Sequence, residues 1–180
     1  MCKISLMSGF LPFLLEFLLV AICAYRLSLY CFPFFVFYLS KRKSKLAYNE
    51  VRHHNLPTAD TTDMLMPNPD FLVSSCFFNL EKSNLRINIK IPQNTYWLIS
   101  LHANNMVHIY DKNNSGFPAE RFSLILKNKH YPLHSRHDDL QVIKCSKKGT
   151  LLVRILVEDR SAENIRLCRT FQHSLEINAC

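Results

Sequence analysis

Metal-ligand residue types gather at one place in this 180-residue chain. His130, His134 and His137 lie within a few positions of each other and run into Asp138 and Asp139. Imidazoles three and four residues apart share one face of a helix and could hold a zinc ion between them. Pro132 stands inside the run, however, and the flanking segments read as strands. The cluster is therefore read as a polar surface loop, and no metal or other cofactor is assigned. His102 and His108 fall at a strand end and in mid-strand. His108, between Val107 and Ile109, takes an outward position of the period-two pattern.

Nucleophilic chemistry finds little footing. Ser74-Ser75-Cys76 lacks the glycine-flanked elbow that exposes a hydrolase serine. Three scattered glycines cannot build a phosphate loop. The absence of a Cys-x-x-Cys pair excludes zinc ribbons and thioredoxin-type centres. Seven cysteines are present; Cys2, Cys23 and Cys31 lie in or beside an apolar head, where they serve as small apolar residues. Cys76, Cys145, Cys168 and Cys180 belong to the body. A pair among them could close a disulfide in an oxidising compartment, and all would be free thiols in the cytoplasm.

These side chains are carried by two unlike regions. Of 36 charged residues only Lys3, Glu16 and Arg26 fall in the first forty positions, so a greasy head precedes a body of ordinary charge. That excludes a disordered chain and a polytopic transporter. Residues 1–40 read as an N-terminal membrane anchor, with Leu6 to Tyr25 as the spanning helix and Arg26 snorkelling to one interface. Leu27 to Leu39, interrupted by Pro33, is short for a second pass. The apolar run is too long for a cleaved signal peptide. Lys41, Arg42, Lys43 and Lys45 follow it, and the positive-inside rule taken alone keeps the body in the cytoplasm. The net charge is +8, and the body alone keeps +7 from 20 basic and 13 acidic side chains. This charge is spread over many turns without a nucleic-acid motif, so the expected partner is membrane lipid and not nucleic acid.

Residues 41–69 read as a basic linker, a short helix over Lys45 to His54 and a loop, and residues 70–180 as an antiparallel β domain. Leu85, Ile87, Ile89 and Ile91 alternate with Arg86, Asn88 and Lys90, which predicts a half-buried strand. Further strands are predicted at Phe71 to Leu80, Tyr96 to Leu101, Met106 to Tyr110, Phe122 to Leu126, Leu140 to Cys145 and Thr150 to Val157. The last two are expected to be joined by a hairpin turn at Ser146 to Gly149. Alternation lets only one of Trp97 and Leu98 face inward. Ile165, Cys168, Phe171 and Leu175 recur at helical spacing after Ser161, a fitting N-cap. Together these predict an all-β antiparallel sandwich or barrel with one transmembrane helix before it and a short C-terminal helix.

Pro67-Asn68-Pro69-Asp70 followed by Ser74-Ser75-Cys76-Phe77-Phe78-Asn79-Leu80 resembles domain of unknown function family 1254, in its short membrane-anchored bacterial form. Leu85 to Ile91, Tyr96 to Leu101, Met106 to Asn114 and Gly149 to Val157 agree in order and spacing. Ser83-Asn84 stands where that family usually has a Gly-Pro pair, and Lys112-Asn113-Asn114 replaces an aspartate-arginine pair. The resemblance implies an all-β fold and a periplasmic body on the inner membrane. It also implies a Cys76–Cys180 disulfide, since the short members carry cysteines at both places. The alternative is a buried Cys76 and a free Cys180 thiol. Longer relatives add a second β domain, so a second β-domain protein is the expected partner. The function expected is a non-catalytic binding or assembly module. The alternatives are an enzyme with an unrecognised site in the β domain and a cytoplasmic adaptor on the lipid surface.

Overall fold

The computed structural model describes residues 3–58, 68–93, 95–115, 120–128 and 141–180. One helix, α1 (Lys3–Ser44), carries the whole apolar head and the first basic residues. At 42 residues it is roughly 63 Å long, about twice what a bilayer core requires. Pro12 and Pro33 both lie inside it. The expected interruption at Pro33 does not occur, because a proline removes one backbone hydrogen bond and the apolar turns on either side carry the helix through. Pro12–Ser44 is long and apolar enough to cross a membrane. Large apolar side chains from Phe13 to Phe32 are exposed, so this stretch is not packed into the β body.

The helix ends at Lys45, whose φ of 55° takes the chain out of the right-handed region. The helix expected over Lys45 to His54 is replaced by strand β1 (Val51–His53). Asn49 makes the difference. At φ 67° it turns the chain, and its amide group then imitates a strand partner. Asn49 Oδ1 accepts the Asn79 amide at 2.8 Å, while the Asn49 amide donates to the Phe77 carbonyl at 2.8 Å. Weak helical propensity loses to this pairing.

Eight more strands follow: β2 (Phe71–Asn79), β3 (Leu85–Lys90), β4 (Trp97–Ala103), β5 (His108–Asn113), β6 (Arg121–Asn128), β7 (Gln141–Cys145), β8 (Lys148–Leu156) and β9 (Glu176–Ala179). Helix α2 (Ala162–His173) lies between β8 and β9. They form a five-stranded sheet, β1-β2-β8-β4-β5, and a four-stranded sheet, β7-β6-β3-β9. The alternating residues Leu85, Ile87, Ile89 and Ile91 are all buried, and of the Trp97–Leu98 pair it is Trp97 that faces inward. With Leu72, Phe78, Ile99, Leu124, Leu126, Val153 and Ile155 they fill the space between the sheets.

Two expectations about pairing are corrected. β6 and β7 run parallel, the exception in an otherwise antiparallel fold. A parallel neighbour needs a crossover of about a dozen residues, and 129–140 supplies that length. The hairpin expected at Ser146 to Gly149 is instead a passage between sheets, since β7 and β8 belong to different ones. Strand β9 has no counterpart in the sequence reading, which carried the helix on to Leu175. The chain leaves the helix at Ser174, whose Oγ–H donates to the Phe171 carbonyl at 2.7 Å.

Both gaps between the sheets are bridged. Helix α2 closes one side: its Gln172 Nε2 donates to the carbonyls of His54 and Val73, and Ser174 Oγ accepts the Lys90 amide. On the other side Tyr110 of β5 donates to Gln141 Oε1 of β7 at 2.7 Å. The sandwich therefore has two open ends. One holds Asn79, Lys148 and Asn128, beside the exit of α1; the other, roughly 27 Å away along β2, holds Phe71, Leu156, Lys90 and Arg121.

Candidate functional site

At the end far from α1, four segments leave a crevice of about 470 Å³. β3 ends at Lys90 and turns through Ile91 and Pro92, and the Ile91 amide donates to the Glu120 carbonyl at 2.9 Å, setting Glu120 and Arg121 beside it. Thr95 Oγ1 donates to the Leu156 carbonyl at 2.8 Å and draws the β3–β4 connection against the end of β8, next to Glu158. The fourth wall is the face of α2 that carries Asn164, Leu167, Cys168 and Phe171. Those residues meet because Ser161 caps the helix, its Oγ accepting the Asn164 amide at 3.3 Å, and because the apolar positions then recur every three or four residues.

The chemistry of this crevice is that of a binding surface. Its floor and walls are apolar (Ile91, Pro92, Leu167, Phe171), and Leu167 is 54% exposed. Lys90, Glu120, Arg121 and Glu158 also line it and are exposed, two cations and two anions. Cys168 is the one thiol present, and burial, aided by the Glu158 carboxylate, pushes it above the usual thiol range. A thiol so placed stays protonated and is a poor nucleophile. A second hollow of about 280 Å³ shares Lys90 and Arg121 and continues over the outer face of β3 and β6. There Asn88 Oδ1 accepts from both Arg86 Nε at 3.2 Å and Ser123 Oγ at 2.8 Å.

The residues that sequence reasoning weighed for chemistry fall elsewhere. Ser74 Oγ hydrogen-bonds His53 Nδ1, and Ser75 Oγ hydrogen-bonds His54 Nε2, both at 2.9 Å. Ser74 is only 1% exposed, so the pair has no room for a substrate. His53 also faces His173 of α2, ring centroids 4.5 Å apart, and burial together with that neighbour holds its pKa below 6.5. The arrangement fastens β1 and α2 to β2. It depends on the His53↔Ser74 register, which no local pattern in the sequence announces. His102 and His108 meet across β4 and β5, with centroids 5.5 Å apart and Asp111 3.4 Å from His108 Nε2; His108 is exposed, but it opens β5 instead of lying in mid-strand, and Val107 before it is exposed too, so the expected alternation does not hold there.

His130, His134 and His137 lie outside the described residues. Among the described residues there is no group of three side chains able to hold a metal ion. Cys76 is buried in β2 of the five-stranded sheet, opposite Val51 and Leu151, and burial pushes its thiol up to about 12. Cys180 is exposed just beyond β9 of the other sheet, where its amide donates to the Asn84 carbonyl. Both are free thiols in this structure.

Comparison with known proteins supports the architecture. The model of a family described as a protein of unknown function, DUF1254, matches residues 48–179. A crystal structure of a protein from Vibrio parahaemolyticus superposes with a TM-score of 0.67 at 11% identity, over 84% of this chain and 36% of that one. An uncharacterised protein from Burkholderia cenocepacia gives a TM-score of 0.50 at 15% identity, over 84% of this chain and 40% of the other. At these identities the likeness is one of fold. The chain spans well under half the length of either structure. No curated protein matches it.

Proposed function

The chain belongs to the DUF1254 family, and from that premise we propose that it is a membrane-anchored binding or assembly module and not an enzyme. Its partner is a second β-domain protein, received at the far-end crevice. The observation that carries this reading is the composition of that crevice. An apolar floor with an exposed leucine, together with two cations and two anions, suits a protein surface, where an apolar centre and a charged rim are the rule. The inert settings of Cys168 and Ser74 support the non-catalytic half of the reading.

A photo-crosslinking amino acid at Leu167, in cells producing the full chain, tests the site. The expected product is a discrete adduct whose crosslinked peptides come from another β-domain protein, and an Arg121→Glu change removes it. Adducts formed equally well from Val142, which is exposed on β7 of the four-stranded sheet, would overturn the assignment.

In this reading α1 crosses the inner membrane once, uncleaved, with its N-terminus in the cytoplasm and the β body in the periplasm, as the family resemblance implies. The basic residues Lys41, Arg42, Lys43 and Lys45 favour the opposite reading, a cytoplasmic adaptor. A C-terminal fusion to a reporter active only in the periplasm separates the two. Activity is expected, and a reporter active only in the cytoplasm would reverse the topology.

A further inference from the structure

The end of the sandwich beside α1 collects charge that the sequence scatters. α1 is fastened there through Phe37, which is 7% exposed and meets the Phe77 ring edge-on at 5.6 Å. Lys41 Nζ lies over the rings of Tyr48 and Phe77, at 4.8 and 5.8 Å from their centroids, and donates to the Leu46 carbonyl. The last turns of the helix thus sit against the end of β2. The register brings in two connections distant in sequence. Asn79 pairs with Lys148, and the Leu80 amide donates to the Lys147 carbonyl at 2.8 Å. Asn128 Nδ2 donates to the Leu80 carbonyl at 2.9 Å, and β6 and β7 end together at Asn128 and Cys145. Lys82 therefore stands at the same end as Lys144 and Lys147.

Six basic side chains at this end are exposed: Arg42, Lys43, Lys45, Lys82, Lys144 and Lys147. Among the described residues two acidic side chains stand with them, Glu81 and Glu50, so the cations are in excess. Glu81 pairs with Lys148 at 3.1 Å, and Glu50 accepts the Ala47 amide at 2.8 Å. Among the described residues, positive charge is therefore in excess at the end of the body where the apolar helix leaves it. From this we infer that the α1 end of the β body rests on the membrane, with Lys82, Lys144 and Lys147 extending the juxtamembrane cluster into one binding surface for anionic lipid headgroups. The inference rests on the reading of α1 as a membrane anchor, with the exposed apolar stretch Phe13 to Phe35 in the bilayer in place of the Leu6 to Tyr25 span expected from the sequence, and it commits the surface to lipid because the charge is continuous with the helix that enters the bilayer. The loops that carry Lys82 and Lys147 then approach the headgroups, and the crevice points away from them.

The test uses the full-length protein reconstituted into vesicles of phosphatidylcholine alone or with phosphatidylglycerol, labelled with a membrane-impermeant lysine-acylating reagent. Acylation of Lys82, Lys144 and Lys147 is expected to slow roughly fivefold in the anionic vesicles, the equivalent of about 1 kcal/mol per lysine near such a surface. High salt should restore it. Lys90 and Lys112, away from this end, should react equally in both. Equal rates at Lys82, Lys144 and Lys147 in the two compositions, or slowing that extends to Lys90 and Lys112, would overturn the inference. Alkaline extraction of the same vesicles separates the two readings. Protein that stays in the bilayer while its lysines ignore lipid charge refutes the surface alone; protein that is released refutes the anchor.

Discussion

At the α1 end of the sandwich Glu81 pairs with Lys148 and Glu50 accepts the amide of Ala47, and among the described residues the exposed cations outnumber these two anions. At the crevice end the signs are mixed. Arg160 lies 3.5 Å from Asp70, and Lys90 and Arg121 line the crevice together with Glu120 and Glu158. Packing differs in the same direction. The first end is filled, with Phe78 against Gly149 and Asn128 tying Leu80 to Asn84, whereas the second leaves about 470 Å³ under α2. One set of strands thus presents a closed cationic surface and an open amphipathic one. A net charge of +8 describes neither, and its distribution separates the end proposed to lie on the membrane from the end proposed to receive a partner.

The contrast can be broken by substitution, beginning where the effect is largest. Ile89 and Lys90 are neighbours at the crevice end with opposite burial. Ile89→Ala should cost about 2–5 kcal/mol in denaturant unfolding, and Lys90→Ala within about 0.5. Equal losses would mean that the crevice wall is not the edge of a packed core. At the closed end, a Cβ on Gly149 would lie 2.2 Å from the His102 carbonyl oxygen and 2.4 Å from Phe78 Cζ. Because one of those neighbours is backbone, Gly149→Ala should cost about 1–3 kcal/mol. A neutral result would show that this end is looser than described.

Removing the α2 cap sharpens the picture of the open end. Ser161→Ala takes away the acceptor for the Asn164 amide and should cost about 1 kcal/mol, with the crosslink from Leu167 weakened but not abolished. The smallest effect is that of pH. His53 sits below its ordinary pKa of 6.5 through burial first, then His173 and His54. As pH falls through about 6.5 the unfolded chain takes up a proton that the folded chain refuses, so the unfolded state binds more protons and stability declines. Stability should therefore be full above that value and drop below it, with a shallower decline in His53→Gln. Among the described residues, His102, lowered by burial, His108 and Arg154, contributes to the slope that persists in the variant.

What could be read from the sequence was local. The seven-residue alternation from Leu85, the cap at Ser161 and the helical spacing after it each depend on neighbours in the chain, and each reappears in the structure. β1 could not be read, because Asn49 and Val51 become strand-like only by meeting Asn79 and Cys76. The parallel β6–β7 pair hid behind two runs that would suit either direction. The site followed the same rule. α2 was visible, but the crevice also needs Lys90, Arg121 and Glu158, and nothing local places those three side by side. Likewise Arg42, Lys43 and Lys45 announced a basic juxtamembrane cluster, whereas Lys82, Lys144 and Lys147 joined it only through the register of β2, β8 and β7.

The central claim concerns which end of the β body lies on the membrane. Energy transfer to a headgroup-labelled lipid acceptor measures it directly in the reconstituted full-length chain, from a fluorophore carried on an unnatural amino acid at position 147 or at position 167. Transfer should be strong from 147 and weak from 167, which lie at opposite ends of strands roughly 27 Å long. Equal transfer from the two positions, or stronger transfer from 167, would contradict the account.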